Sequence, residues 1–509
     1  MCTSRCSKLV LIIFFCLLIE KSFWLKKRKR NRDCIENVFQ YNQAEISHIA
    51  CALLSVCNRD VDKWRRTRMA NEEMPHSRSD PVIMKLDTPE FHSIFTPELK
   101  ILSGIFEKYN YEIRIAGGAV RDLLSGLTPK DLDFATTATP EEMKTMLAKE
   151  EIRTINDRGE KHGTVTARIN DKENFEVTTL RIDVATDGRH ADVEFTKDWK
   201  LDANRRDLTI NSMFLDFDGS VYDYFYGYDD LRKKRVAFVG DPGTRIREDF
   251  LRIFRYFRFY GRISEVADNH EESTIAAIKE NVAGLERISG ERIWSEWSKI
   301  LEGRFVCELT AKMFDCGIAQ YIGLPKEPDL EAFEKACARA RSNKFSLRPI
   351  TLISALLRDE EEVMALHSRL RLSAFNRDLA LFMVTHREEK PCEKPLKPYQ
   401  HIVLNTKLKV QDVQEFVCEL LRYKGSLSLL EDFQKWKIPK FPVNGHHLKP
   451  HVPHGKMIGR VLNDLKKIWL DDDFKTSSED LLKRVPDILD FVLNTRYFGT
   501  GGRESKKIK

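Results

Sequence analysis

Cysteine is missing from the central part of this 509-residue sequence. The 11 cysteines fall within residues 2–57 and 307–418, and no two of them are spaced as C-x-x-C. Zinc sites and disulfide frameworks depend on close cysteine pairs or on a dense set of cysteines, so the pattern argues against both. The sequence therefore suits a reducing compartment.

Net basic charge is missing beyond residue 83. Residues 1–83 hold 15 Lys and Arg against 9 Asp and Glu, which accounts for the whole net charge of +6. A bulk positive field is thus excluded for the remainder, and any nucleic-acid site there must come from local patches. With 42% hydrophobic and 32% charged residues, the composition is that of a globular protein of several domains.

A hydrophobic run that spans a bilayer comfortably is also missing. Residues 9–19 (LVLIIFFCLLI) are apolar, but such a run is too short at about 1.5 Å per residue. Basic residues flank it, and a secretory signal, a signal anchor, an organellar presequence or a nuclear signal at KKRKR all fit. We predict that residues 1–83 are a partly disordered leader and that the remaining core does not associate with membranes. Shorter products are predicted to begin at Met69, Met74 or Met84.

The stretch from Gly117 to Phe134, GGAVRDLLSGLTPKDLDF, is the most informative one. Residues 112–116 alternate as a strand does, and Gly117-Gly118 then lets the backbone turn tightly before a helix begins near Arg121. Backbone N–H groups at such a turn favour phosphate oxygens. The turn is therefore a candidate phosphate cradle.

Asp131 and Asp133 follow at positions i and i+2 of a predicted strand, so both carboxylates leave one face of the sheet. Like charges so close repel each other unless a cation lies between them, and hard oxygen ligands suit Mg²⁺. A Gly-Gly pair or an Asp-x-Asp pair alone is commonplace, but their combination predicts metal-dependent nucleotidyl transfer. Glu176, in a predicted pair of strands over residues 163–169 and 175–181, is a candidate third ligand. An exposed strand glutamate fits that position equally well.

Residues 245–262 (RIREDFLRIFRYFRFYGR) contain a row of charged residues among aromatic ones. The row advances along nearly one face of a predicted helix and consists of Asp249, Arg252, Arg255 and Arg258. Buried arginines need anionic partners, and triphosphate oxygens would serve. Earlier in the chain, Arg206 lies in RRDLTINSM and is suited to ribose, base or phosphate contacts.

Asp249 and Arg252 also form a candidate base-selecting pair. Cytosine and adenine each present an amino donor beside a ring-nitrogen acceptor, which a carboxylate and a guanidinium would satisfy. Uracil and guanine reverse that order and would leave buried charges unpaired, at a cost of about 1–3 kcal/mol. The pair therefore predicts selection of C and A over U and G.

Together these motifs resemble those of the class II CCA-adding enzymes (tRNA nucleotidyltransferases), in their eukaryotic form. The resemblance covers roughly residues 84–500 and includes ERISGERIW at residues 286–294, which looks like a helix-supporting motif. It implies an α+β fold, in which a polymerase-β-like nucleotidyltransferase head with a small mixed sheet precedes all-α neck, body and tail domains. The predicted boundaries are 84–235 for the head, 236–310 for the neck, 311–430 for the body, 431–500 for the tail and 501–509 for a disordered basic end.

The resemblance implies that CMP, CMP and AMP are added from CTP and ATP to tRNA lacking its 3′ CCA, with Mg²⁺ as cofactor. The implied roles are nucleotide contact for Gly118, Arg121 and Arg206, metal binding for Asp131 and Asp133, base selection for Asp249 and Arg252, and triphosphate binding for Arg255 and Arg258. The predicted locations are mitochondrion, cytoplasm and nucleus. The sequence carries no indication of oligomeric state.

Two alternatives remain open. A bacterial-type poly(A) polymerase shares the glycine turn, the carboxylate pair and most of the arginine row. A non-catalytic RNA-binding protein on the same fold would lack the metal ligands, whereas Asp131 and Asp133 are present.

Overall fold

The computed structural model describes residues 76–155, 157–186, 191–389, 392–452 and 455–490. Most of the predicted leader, including Met69 and Met74, and the predicted disordered end at 501–509 lie outside these residues. No helix among the described residues is long and apolar enough to cross a membrane.

The strands belong mainly to one mixed sheet. In the described residues they are β1 Val82–Lys85, β2 Ile113–Ala116, β3 Asp133–Thr136, β4 Arg153–Ile155, β5 Thr164–Ile169, β6 Glu173–Thr179, β7 Arg181–Thr186, β8 Ala191–Phe195, β9 Phe214–Leu215 and β10 Ser220–Tyr222. Eight strands form the sheet in the order β1-β10-β9-β2-β3-β6-β5-β4, while β7 and β8 pair separately. Strand β3 is antiparallel to β2 and parallel to β6, so the sheet is mixed, as predicted.

Helices cover both faces of this sheet. The first six are α1 Pro89–Ser93, α2 Pro97–Lys108, α3 Gly118–Leu124, α4 Pro140–Lys149, α5 Trp199–Asn204 and α6 Gly227–Arg232. On one face, α2 and α4 bury Leu102, Phe106 and Leu147 against the strands. On the other face, a smaller apolar cluster includes Trp199 of α5 and Phe214. The sheet is therefore buried between two apolar layers, which fixes where its strands end.

The chain after residue 241 is helical. Its helices are α7 Pro242–Glu248, α8 Arg252–Ile263, α9 Glu272–Asn281, α10 Gly290–Leu301, α11 Val306–Asp315, α12 Leu330–Ser342, α13 Pro349–Ser354, α14 Glu360–Leu370, α15 Ala374–His386, α16 Lys397–Asn405, α17 Val410–Lys424, α18 Leu427–Lys435, α19 Gly445–Leu448, α20 Gly455–Asp471 and α21 Ser478–Lys483. One apolar core extends from the sheet into these helices as far as Phe433. A second core, between Val443 and Val485, is formed by the last helices. The α+β fold with a sheet-containing head and a helical remainder is thus confirmed.

Candidate active site

The glycine turn joins β2 to α3. Gly117 has φ 65° and ψ −115°, which favours glycine, and its N–H donates to the Met213 carbonyl at 3.0 Å. A Cβ added at Gly117 would lie 3.0 Å from Nη1 of Arg206. Helix α3 begins at Gly118, three residues earlier than the sequence indicated. Because both residues of the turn are glycines, the turn presents backbone and no side chain to a ligand.

The two candidate metal ligands lie at the start of β3. The strand begins at Asp133, so Asp131 precedes it and the prediction of one strand through both residues was wrong. Glu176 on β6 is the register partner of Asp133. Because paired residues of parallel strands face the same side, Glu176 is on the Asp133 face, as the third-ligand hypothesis requires.

The pKa of Asp133 is raised above its usual value, mainly by burial. Desolvation raises this pKa, the Arg206 guanidinium lowers it, and Asp131 raises it. The residue is exposed by surface area, yet enough protein surrounds its carboxylate for the net shift to be upward. A cation between the carboxylates would relieve this repulsion.

The donor set fits a hard divalent cation. Among the described residues, no group of three or more His, Cys, Asp or Glu side chains is placed to hold a metal ion by itself. Mg²⁺ commonly takes one or two protein carboxylates and completes its shell with waters and substrate phosphates. Asp131 and Asp133 provide that number, and waters and phosphate oxygens would complete the shell.

Residues 205–207 lie between the head strands and the helical region. The buried Asp202 carboxylate accepts from Nε of Arg205 at 2.8 Å and from Nη2 of Arg206 at 3.1 Å. Nη1 of Arg206 donates to the Asn211 carbonyl at 3.2 Å. Burial alone would raise the pKa of Asp202, but the two guanidiniums hold it below its usual value. Arg206 is thereby fixed beside Gly117, close enough to Asp133 to lower its pKa.

The helix predicted to include Asp249 is broken at that residue. Helix α7 ends at Glu248, Asp249 has an extended backbone, and α8 begins at Arg252. The prediction that Asp249 shares a helix face with the three arginines was therefore wrong. The physical reason is a local turn: the Asp249 side chain accepts from the Leu251 N–H at 3.1 Å, and its carbonyl accepts from the Arg252 N–H at 2.9 Å.

The three predicted arginines, all on α8, each pair with a carboxylate. Arg252 contacts Glu248 and donates from Nη2 to the Arg205 carbonyl at 2.8 Å. Arg255 donates from Nε to Asp207 at 2.6 Å. The remaining one, Arg258, donates from Nη1 to both oxygens of Glu296, at 2.8 and 2.9 Å. The need for anionic partners is thus met by protein side chains, so the burial of the arginines does not by itself demand a phosphate.

Arg121 lies deeper than the sequence indicated. It is 3% exposed, and it donates from Nη1 to Oδ1 of Asn211 at 2.5 Å and from Nε to Asp122 at 3.0 Å. Asp122 also accepts from Arg262 of α8 at 2.9 Å. Arg121 therefore connects the glycine turn to the helical region in this arrangement.

Two functional residues on α10 were missed. Arg292 donates from Nη2 to Oδ2 of Asp249 at 2.7 Å, and Glu296, one turn further, holds Arg258. Arg292 belongs to residues 286–294, to which the sequence assigned only helix support, and Glu296 lies two residues beyond that segment. The i,i+4 spacing of an arginine and a glutamate was a usable signal, but nothing in the sequence indicated their partners.

Two parts of the chain match known protein families. Residues 113–237 match the family described as "Poly A polymerase head domain", and residues 270–332 match "Probable RNA and SrmB- binding site of polymerase A". A mouse protein, "CCA tRNA nucleotidyltransferase 1, mitochondrial", is 51% identical over 407 residues, which are 79% of this chain and 93% of that protein.

Two solved structures share the fold. The CCA-adding enzyme of Bacillus stearothermophilus in complex with CTP has a TM-score of 0.63 and 23% identity, covering 80% of this chain and 100% of that one. The Thermotoga maritima enzyme complexed with tRNA has a TM-score of 0.56 and 20% identity, covering 80% and 99%. At these identities the structures support the fold, whereas the mouse relative supports the family.

Proposed function

The chain belongs to the CCA tRNA nucleotidyltransferase family, and we propose that it adds the 3′-terminal CCA to tRNA by transferring CMP, CMP and AMP from CTP and ATP, releasing pyrophosphate. One observation carries the proposal. Residues 205–207 connect the two halves of the site, since Arg206 lies at the glycine turn while the Arg205 carbonyl and the Asp207 carboxylate hold Arg252 and Arg255. The phosphate-binding and base-selecting elements therefore face one nucleotide.

The head would bind the reacting end of that nucleotide. We assign the phosphate cradle to the turn before α3, where Gly118 leaves the approach open, and the sugar contact to Arg206. Arg255 and Arg258 would bind triphosphate oxygens, because a guanidinium has five N–H donors and one carboxylate does not exhaust them. Arg121, which is buried next to the turn, would contact the same nucleotide. Positioning and electrostatic stabilisation account for most of phosphoryl transfer, so these cations suit the task.

We assign Mg²⁺ to Asp131 and Asp133. Glu176 is on the Asp133 face, but the three carboxylates are not grouped to hold a metal ion among the described residues, so its role as a third ligand stays a prediction. When bound, the metal lowers the pKa of the tRNA 3′-hydroxyl and neutralises charge on the α-phosphate and pyrophosphate. The protein contributes two adjacent carboxylates at the start of one strand, and Arg206 beside them offsets part of their charge.

Base selection would belong to Asp249 and Arg252. Arg292 and the Leu251 N–H each occupy one oxygen of the Asp249 carboxylate and so fix its plane. A carboxylate has about four acceptor sites, so it can still accept the amino group of cytosine or adenine. Arg252 is oriented by Glu248 and by the Arg245 and Arg205 carbonyls. Because both side chains are held rigidly, they cannot rearrange to pair with the base edge of uracil or guanine. Their hydrogen-bonding groups would stay unpaired, so C and A would be selected over U and G.

We propose that the tRNA lies along the helical neck, body and tail, with the boundaries given above. The separate core between Val443 and Val485 supports a distinct tail. Lysines and arginines cluster there, although Lys466 donates to the Leu404 carbonyl and Lys467 pairs with Asp464 at 3.4 Å. The other basic residues of this region can track the tRNA backbone.

The mouse relative carries "mitochondrial" in its name. We propose a mitochondrial location for this chain as well, and distribution to cytoplasm and nucleus through starts at Met69, Met74 or Met84. N-terminal sequencing of the native protein from each fraction tests this. A single N-terminus at Met1 in all three compartments would contradict the alternative starts.

The second candidate is a poly(A) polymerase, which the name of the head-domain family favours. An incorporation assay on tRNA lacking CCA, with CTP alone, ATP alone and both, decides between the two. We expect two cytidines with CTP alone and a complete CCA end with both nucleotides. Long A tails without use of CTP would reject CCA addition.

A further inference from the structure

Phe259 of α8 lies among three of the arginines of the site. Its ring centroid is 4.8 Å from the guanidinium carbon of Arg121, 5.5 Å from that of Arg255 and 4.6 Å from that of Arg258. The ring is 3% exposed. One buried aromatic ring is thus within cation–π distance of three cations that come from both halves of the site.

Three guanidiniums this close repel one another, and each is held by a carboxylate from a different element. Arg121 pairs with Asp122, Arg255 with Asp207 and Arg258 with Glu296. A fourth carboxylate among them would compete with phosphate for the remaining N–H donors. An aromatic face attracts the cations through its quadrupole and accepts none of those donors.

We propose that Phe259 is a positioning residue, whose ring gathers these guanidiniums around the triphosphate while leaving their N–H groups to the phosphate oxygens. This inference rests on the proposed nucleotide-binding roles of Arg121, Arg255 and Arg258. It assigns to the ring an electrostatic role beyond apolar packing, because an aliphatic side chain of similar volume would fill the space and attract no cation.

Stepwise fluorination of the Phe259 ring tests the electrostatic role. Mono-, di- and trifluorophenylalanine, introduced in the full-length protein, keep the shape of the ring while weakening its negative face. We expect the Kd for CTP to rise with each fluorine, by about tenfold at the trifluoro ring, which is the loss expected at a desolvated cation–π site. The Kd for CMP, which lacks the two outer phosphates, should change much less.

Phe257 provides the matched control. It lies on the same helix, is fully buried, and its ring packs on Tyr256 and His270. The same fluorination series at Phe257 should leave CTP affinity unchanged. A flat response at Phe259, an equal response at Phe257, or a fall in melting temperature that accounts for the change would overturn the inference.

A parallel measurement separates this inference from the proposed function. Arg255→Ala and Arg258→Ala should each weaken CTP binding. If neither does, the arginines do not bind the triphosphate and the proposed function of the row fails. If both do while the Phe259 series is flat, the arginines keep their role and only the inference about the ring is wrong.

Discussion

The head side and the helical side of the site hold their arginines by different means. On the head, Arg206 is fixed by Asp202, four residues earlier, and Arg121 pairs with Asp122, the next residue. On α8, Arg255 depends on Asp207 and Arg258 on Glu296, which are 48 and 38 residues away in sequence. These carboxylate partners are thus local for Arg206 and Arg121, although Arg121 also donates to the distant Asn211. Arg255 and Arg258 are instead held by the docking of separate elements, whereas Arg252 has its partner Glu248 four residues away.

We infer from this difference that the head can supply the chemistry of transfer by itself, whereas nucleotide binding by α8 needs the assembled protein. A change at the carboxylate pair should stop transfer while the fold and RNA binding persist. Changes at the distant anchors should alter stability, affinity and base selection together. The predictions below test this separation, in order of decreasing effect.

Asp131→Ala is expected to have the largest effect. Loss of one of two metal carboxylates removes several kcal/mol of charge stabilisation from the reaction, so CMP incorporation should fall by roughly a thousandfold or more. Binding of tRNA, measured by gel shift, should survive, because the basic residues of the tail are distant in sequence from the strand. Normal turnover in this variant would mean that Asp131 does not bind a catalytic metal. The carboxylate pair would then not carry the chemistry of the head.

Asp207→Asn tests a distant anchor. Removing one partner of a buried ion pair leaves the Arg255 charge uncompensated, so we expect a loss of about 3 kcal/mol in the free energy of unfolding, with weaker CTP binding. Chemical denaturation at pH 7 measures the former and titration calorimetry the latter. Unchanged stability with weakened CTP binding would show that Asp207 orients Arg255 without supporting the fold.

The pH dependence of stability provides an independent check on Asp207. Burial would raise its pKa, but Arg255 and its hydrogen bond lower it to about 2 from 3.8. A carboxyl group with a depressed folded pKa stabilises the protein above its unfolded pKa, and this stabilisation is lost as the pH falls through the folded value. The wild-type protein should therefore lose this contribution, about 2 kcal/mol, between pH 4 and pH 2. Asp207→Asn should lose none of it over that interval.

Local patterns in the sequence predicted part of the head. Alternation predicted β2, β-branched residues predicted the β5–β6 pair, and the glycine turn and the carboxylate pair were found because their residues are close in the chain. The family resemblance supplied the helical remainder and the roles of the arginines. Asp207 and Glu296, which hold Arg255 and Arg258, could not be predicted, because their pairing is set by how α8 docks on residues 205–207 and on α10.

The break at Asp249 shows a different limit. The charges at positions 249, 252, 255 and 258 have helical spacing, and spacing alone favoured one helix. The structure ends α7 at Glu248 because the Asp249 side chain accepts from the Leu251 N–H in a local turn, and this bond competes with helix continuation. The spacing of the charges thus counted Asp249 as a helix residue, but the hydrogen bond of the Asp249 side chain ends the helix before it.

Arg292→Ala should have a smaller effect on turnover and a clear one on selectivity. Without its 2.7 Å bond to Arg292, the Asp249 carboxylate can rotate and accept other edges. We expect the ratio of kcat/KM for CTP over UTP to fall about tenfold, equivalent to one charge-assisted hydrogen bond of about 1.4 kcal/mol. Glu291→Ala, an exposed neighbour on α10, is the control and should leave the ratio unchanged. An unaltered ratio in Arg292→Ala would mean that Asp249 is oriented by its own loop.

Substitutions at the adjacent Gly117 and Gly118 test whether the glycine turn of the head binds phosphate, and we expect the smallest effects from them. Gly117→Ala forces a side chain into a positive-φ conformation beside Arg206, so we expect about 1–2 kcal/mol of lost stability.

Gly118 begins a helix, and an added Cβ would approach no closer than 3.7 Å, to Arg121. Gly118→Ala should therefore melt at the wild-type temperature and bind CTP a few-fold more weakly, since its methyl group narrows the phosphate approach. Because the two positions are consecutive, any difference between them must come from backbone conformation and ligand access. Equal destabilisation by both substitutions would show that the turn is a packing element, and phosphate binding would then have to be assigned to the arginines alone.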